Sequence, residues 1–269
     1  MAPGERWLVA PGSKVDLGGV DTASTAGSPG GEAKVAGVLP GLSERIAELQ
    51  ERLWAEREQS LLVVLQAIDA GGKDGTIEHV FRGMNPAGAR VVSFRAPSEE
   101  ELSHDFLWRA HRHTPAKGEV VVFNRSHYED VLVVRVHQLV PDKVWRGRYA
   151  PINHFEDNLA AARTRIVKLF LHISKEEQAR RFQARLDDPT KRWKFRIADL
   201  DERDRWDDYQ AAFQDAVNRT STKAAPWYVI PADHKWYRNW AVSRIVLETL
   251  EDMGPQYPPE EDLAGVVIA

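Results

Sequence analysis

LLVVLQAIDAGGKDGTIEHVF, residues 61–81, begins as an unbroken apolar run and ends in a helical pattern, with two adjacent glycines and a lysine between them. The run LLVVLQAI (61–68) lacks strict polar alternation, which predicts a strand buried on both faces of a parallel sheet. A helix is expected over about 73–84. At the turn, Gly71 and Gly72 let backbone N–H groups face an anion with no Cβ in the way. Lys73 adds a cation, and the helix N-terminus adds its partial positive charge. An ordinary tight turn would account for the glycines alone. The order strand, glycines, lysine, helix predicts a phosphate cradle over Ala70, Gly71, Gly72, Lys73, Asp74, Gly75 and Thr76.

The P-loop pattern G-x-x-x-x-G-K-[ST] is met only in part. Gly72-Lys73 fits it, but Ala67 stands at the first glycine and Asp74 at the Ser/Thr, with Thr76 the nearest hydroxyl. Two carboxylates beside a phosphate cradle, Asp69 and Asp74, make chemical sense with a metal or an acceptor hydroxyl between them, because bare carboxylates repel phosphate.

Outward from this segment, strands and helices alternate. Strands are expected at 89–94, 119–123, 164–173 and 227–230, giving five with the first. Helices are expected over 43–58, from Ser98 through Ala110, around Ile152–Leu159, from Ser174 to Leu186, over Trp206–Val217 and over 236–252. Ser98 with Glu101 and Ser174 with Glu177 have capping-box spacing. Segment 126–138 is β-branched, yet its place after a strand argues for a helix. The alternation predicts an α/β three-layer sandwich around a central parallel sheet, whose ligands bind at the carboxyl ends of the strands. Residues 1–40 hold 8 of the 18 glycines and one aromatic, Trp7, and are expected as a flexible arm. A domain over 41–255 and a C-terminal tail over 256–269, ending in LAGVVIA, complete the organisation.

The chain's 269 residues carry 36 Lys and Arg against 40 Asp and Glu, a net charge of −4 that speaks against a nucleic-acid-coating protein. With 43 % hydrophobic and 28 % charged residues, global disorder is excluded. No apolar run approaches the ~20 residues of a membrane helix. MAPGERWLVAPGSK (1–14) lacks the apolar core of a secretory signal, and there is no cysteine for a disulfide or a thiolate site, so a cytoplasmic location is expected.

Two further turns carry charge. The strand at 119–123 ends in FNRSHYED (123–130), where P-loop proteins usually place an acidic metal ligand. Asn124 stands there instead, followed by Arg125, whose guanidinium is expected to reach the cradle and fork onto a phosphoryl group. Glu129 and Asp130 lie one turn on and compensate it in charge. RRFQARLDDPTKRWKFR (180–196) carries seven basic and two acidic residues in an acidic protein. Interrupted by DDP and carrying Trp193 and Phe195, it reads as a helical lid (about 180–205) over a phosphate site, too cationic for a mononucleotide alone.

DAGGKDGTIEHVF (69–81), FNRSHYEDVLVVRV (123–136), HFEDNL (154–159), LHISKEEQARRF (171–182), KRWKF (191–195) and APWYVIPADHKW (225–236) occur in this order in polyphosphate kinase family 2, which the chain resembles over about 40–255. Asn in FNRSHYE resembles the branch that uses both nucleoside mono- and diphosphates. The resemblance implies a P-loop kinase-like fold and phosphoryl transfer between inorganic polyphosphate and AMP, ADP or ATP, with guanine nucleotides as further candidates. Mg²⁺, or Mn²⁺ in its place, would sit on Asp69. Asp69, Lys73 and Arg125 match catalytic positions, and Arg180 and Arg181 match phosphate contacts of the lid. Asn124, Glu129, Asp130 and Arg135 are expected at the nucleotide. A homo-oligomer is the expected assembly, with no nucleic-acid or membrane partner. Two other classes share features with this reading: an ATP-dependent nucleoside monophosphate kinase, and a non-catalytic nucleotide or polyanion sensor.

Overall fold

The computed structural model describes residues 3–262 and Ile268. Six strands form one sheet: β1 Leu8–Val9, β2 Ser60–Gln66, β3 Ala89–Ser93, β4 Val120–Asn124, β5 Thr164–His172 and β6 Trp227–Pro231. Their order is β1-β6-β5-β2-β4-β3, parallel throughout except for β1, which runs antiparallel to β6. All seven residues of β2 are buried, as an unbroken apolar run at the centre of a covered sheet requires. The α/β architecture and five of the six strands thus agree with the sequence reading.

The helices in chain order are α1 Glu32–Glu56, α2 Lys73–Phe81, α3 Glu99–Leu102, α4 Trp108–His111, α5 Val133–Val136, α6 Asp142–Gly147, α7 Tyr149–Ala161, α8 Lys175–Asp187, α9 Ala198–Asp204, α10 Trp206–Thr220 and α11 Lys235–Met253. One group, α1, α2 and α11, packs together, and a second joins α5, α6, α7 and α10. Among the described residues no helix is long and apolar enough to cross a membrane.

Several elements differ from the expectation. Helix α1 starts at Glu32, because the stripe Val35, Leu39, Leu42, Ile46, Leu49, Leu53 runs on through an exposed Pro40 and packs on α11. The helix expected from Ser98 to Ala110 breaks into α3 and α4, with Ser98 and Glu101 forming a complete capping box. Segment 126–138 is a 3₁₀ turn (His127–Asp130) followed by the four-residue α5. The turn is pinned from inside: the Tyr128 hydroxyl donates to Glu156 Oε1 at 2.8 Å, and Lys168 Nζ donates to Glu156 Oε2 at 2.5 Å and to Tyr128 at 2.8 Å. All three groups are buried, so His127 and Tyr128 belong to a structural polar core.

The expected flexible arm is instead docked along residues 3–31. Trp7 is 5 % exposed and packs edge-on against Tyr237 and Trp240. Asn218 and Gln214 bond the backbone of Val15 and Leu17, and Tyr237 donates to Ala26 O at 2.7 Å. Thr22 donates to Asp233 Oδ2 at 2.8 Å. Strand β1 belongs to this segment and covers the outer edge of β6. In the tail, LAGVVIA lies outside the described residues apart from Ile268.

Candidate active site

Strands β2, β4 and β3 end in register, with Asn124 opposite both Leu65 and Ser93. The loop Ala67–Gly72 leaves β2 and enters α2. A Cβ on Gly71 would stand 2.5 Å from Ala67 Cβ, so only glycine permits the loop to close on itself. Gly72, at φ +103°, sits in the left-handed region as the N-cap of α2. Ala70 also adopts a positive φ, +60°, which costs a non-glycine residue about 1–2 kcal/mol. Helix α8 holds this conformation: Gln178 donates to Asp69 O at 3.0 Å and Arg181 Nη1 to Ala70 O at 2.9 Å. The amides of Lys73, Asp74 and Gly75 precede the first helical bond, Thr76 N–H to Gly72 O, and have no acceptor within the helix.

Lys73 folds back so that Nζ donates to Ala67 O at 2.8 Å. Burial, reinforced by the Arg125 guanidinium, lowers its pKa to about 8. Arg125 follows β4 directly, and its N–H donates to Leu65 O at 3.1 Å, fixing it beside the end of β2. Its φ of +62° turns the chain at that point. Nη2 then reaches Asp69 Oδ1 at 2.7 Å, and Nη1 lies 3.5 Å from Glu129. Glu129 raises the arginine's pKa most, with Asp69 adding to it against burial. Arg125 is therefore both an ion-pair partner and a group at the cradle. Asn124 Nδ2 donates to Asp74 Oδ1 at 2.9 Å, tying the end of β4 to the first turn of α2.

These residues open into a cleft of about 900 Å³ lined by eleven Lys and Arg side chains against five carboxylates. Six of the seven basic residues of 180–196 line it: Arg180, Arg181, Arg185, Lys191, Lys194 and Arg196. Arg192 turns away and donates to Leu186 O. Arg180 and Arg181 both bond Glu177, at 2.8 and 2.7 Å, although only Arg181 is buried. Glu177 is thereby diverted from the second half of the capping box, and Ser174 alone caps α8.

Of the expected cradle and nucleotide residues, three lie elsewhere. Thr76 is buried, and its hydroxyl bonds back to Gly72 O, four residues earlier, at 3.1 Å. Asp130 pairs with Arg148 and Arg109. Arg135 pairs with Asp215 at 2.7 Å and stacks over Trp145. Glu129 reaches the site only through Arg125. In return, the cleft recruits Ser93 at the end of β3 with Phe94 and Arg95 after it, and Lys235, Arg238 and Asn239 at the start of α11 after β6. The carboxyl-end rule points equally to those two turns, and it is the signal that finds them.

A parallel sheet with a glycine loop at its central strand, facing a cleft this rich in cations, defines a P-loop-like α/β protein that handles phosphate groups. Residues 35–258 match the family Polyphosphate kinase 2 (PPK2). An AMP/ADP-polyphosphate phosphotransferase from Meiothermus ruber is 53 % identical over 264 residues, 98 % of this chain and 99 % of that one. An ADP-polyphosphate phosphotransferase from Rhodopseudomonas palustris is 45 % identical over 268 residues, 94 % and 92 % of the two chains. Among solved structures, Polyphosphate Kinase 2 from Arthrobacter aurescens TC1 aligns with a TM-score of 0.94 at 45 % identity, over 97 % of this chain and 93 % of that one. The chain belongs to the polyphosphate kinase 2 family.

Proposed function

We propose that the protein transfers a phosphoryl group between inorganic polyphosphate and AMP or ADP. The observation that carries this reading is the cleft itself: the loop after β2, Arg125 and six lid cations face one space with a large surplus of positive charge. A mononucleotide kinase needs few of those cations, whereas a chain of phosphates uses them repeatedly. The names of the two relatives supply the nucleotide substrates.

Phosphoryl transfer depends on alignment and charge neutralisation more than on covalent chemistry by the protein. Lys73 and the amides at the start of α2 would hold one phosphate group. Arg125, placed by its bond to Asp69, would stabilise charge on the moving phosphoryl group. The attacking oxygen belongs to an acceptor that is already an anion, so no strong base is required. Among the described residues no cluster of three or more His, Asp or Glu could cage a metal. Mg²⁺ is commonly held by one or two carboxylates together with substrate phosphates, and Asp69, engaged through Oδ1 alone, fits that mode. Mg²⁺ or Mn²⁺ there would neutralise charge on the reacting phosphates.

The test is turnover of AMP and of ADP with polyphosphate and Mg²⁺ in the absence of ATP. ADP should form from AMP, and ATP from ADP. Asp69→Asn and Lys73→Ala should each lower the rate roughly 10²–10³-fold in folded protein. A requirement for ATP as the donor would identify a nucleoside monophosphate kinase, and binding without turnover would identify a sensor; either result overturns the proposal.

A further inference from the structure

Among the described residues three arginines are buried: Arg109, Arg181 and Arg238. Arg109 lies 3.6 Å from Asp130, and Arg181 lies 2.7 Å from Glu177. Arg238, 3 % exposed, has no carboxylate within ion-pair distance among the described residues. Its Nε and Nη2 donate to the neutral Asn239 Oδ1 at 3.1 and 2.8 Å. A buried charge without a counter-charge is costly, so its retention asks what completes it.

Its position answers. Nη1 would lie 1.9 Å from a Cβ on Gly72, and Nη2 3.3 Å from one on Gly75. The guanidinium thus lies against Gly72 and Gly75 at the N-terminus of α2, the end whose first amides lack helical acceptors. Arg181 Nη1 comes within 3.4 Å of the same Gly72 position. Arg238 therefore faces a second guanidinium and a positive helix end. Burial and Arg181 together lower its pKa to about 9. Lys235, one turn earlier on α11, has its pKa lowered as well, by burial first and then by Arg181, with Arg238 and Lys191 adding smaller contributions. The row Arg238, Lys235, Arg181, Lys191 leads from the loop into the lid on the β5–β6 side of the cleft. Asn124 and Phe94 stand on the opposite, β4–β3 side.

We propose that Arg238 is a phosphate-binding residue of the polyphosphate site, holding an anionic oxygen of the chain against the Gly72 end of α2. The bound phosphate is the counter-charge that the fold does not supply. This inference rests on polyphosphate being a substrate. It also gives Gly72 a second reason to be glycine: any side chain there would displace the guanidinium.

Calorimetry with sodium tripolyphosphate and with longer polyphosphate, without nucleotide, tests it on the full chain. Arg238→Met keeps the bulk of the side chain and removes the charge. It should bind both probes roughly ten- to a hundredfold more weakly. The polyphosphate KM should rise in parallel and the ADP KM should change less than twofold. Without ligand, R238M should melt at or above the wild-type temperature, because an uncompensated charge has been removed. Arg238→Lys should recover part of the binding. Unchanged probe binding by R238M would overturn the assignment. Equal loss of binding in R238M and R238K, with both melting lower, would mark a structural arginine and overturn it too. Wild-type transfer from polyphosphate to ADP is measured alongside: its failure counts against the proposed reaction, while the calorimetry still decides Arg238.

Discussion

Lys73 shows how one buried group in the loop ties stability to pH. With its pKa lowered to about 8 from an unfolded value near 10.5, the unfolded chain holds this proton more tightly than the folded one between those pH values. The charged form is the penalised one, so its contribution to folding becomes more favourable as pH rises from about 8 towards about 10. Substrate-free, metal-free wild type should therefore gain stability over Lys73→Met across that window in urea melts, while kcat/KM for polyphosphate falls roughly tenfold per pH unit above about 8. A wild-type–variant difference that does not move with pH would show that another group titrates. That Asp69, Lys73 and Arg125 line one cleft was legible in the sequence, because each follows the carboxyl end of β2 or β4, where ligands of such sheets bind. Arg238 was not. The carboxyl-end rule points to the turn after β6, yet Arg238 lies one helical turn into α11, and the approach of its guanidinium to Gly72 is what distinguishes it.

Helix α8 joins the cationic segment 191–196 to the loop, and its two adjacent arginines are placed differently. Arg181 is buried and gives its guanidinium to the carbonyls of Ala70, Ala232 and Asp233. Arg180 is 67 % exposed and bonds only Glu177. Arg181→Ala should cost about 3–5 kcal/mol, lowering the melting temperature by roughly 10 °C, and should weaken every phosphate ligand as the loop loosens. Arg180→Ala should leave melting within about 2 °C and raise only the polyphosphate KM, with a shallower salt dependence. Matching effects of the two substitutions in thermal melts would show that α8 does not hold the loop. The sequence located α8 and its cap, since Ser174 and the apolar Phe182 follow helical rules. It expected one helix over 126–138, where a 3₁₀ turn and the four-residue α5 stand and Tyr128 is buried beside Glu156 and Lys168. No pattern within that segment records those partners, which come from α7 and β5.

Across the whole molecule, the N-terminal segment escaped the sequence reading because its anchors are solitary. Trp7, Val9 and Leu17 are each buried, yet they share no helical or strand period and stand among glycines. Trp7→Ala should cost about 3–5 kcal/mol, measured as a lower urea midpoint, with the ADP KM unchanged. An unaltered midpoint would mean that the docked segment adds nothing to stability. The charge distribution is also a property of the whole. A chain of net charge −4 concentrates a strong positive surplus in one cleft, so the remaining surface is more acidic than the total suggests. A long polyanion diffusing towards this protein is turned away from most directions and drawn in from one. Its orientation is selected before the first contact, at distances that physiological salt shortens to about 8 Å. Under the proposed function, capture would begin at the cations of 180–196 that line the cleft, with the chain end moving inward to the loop.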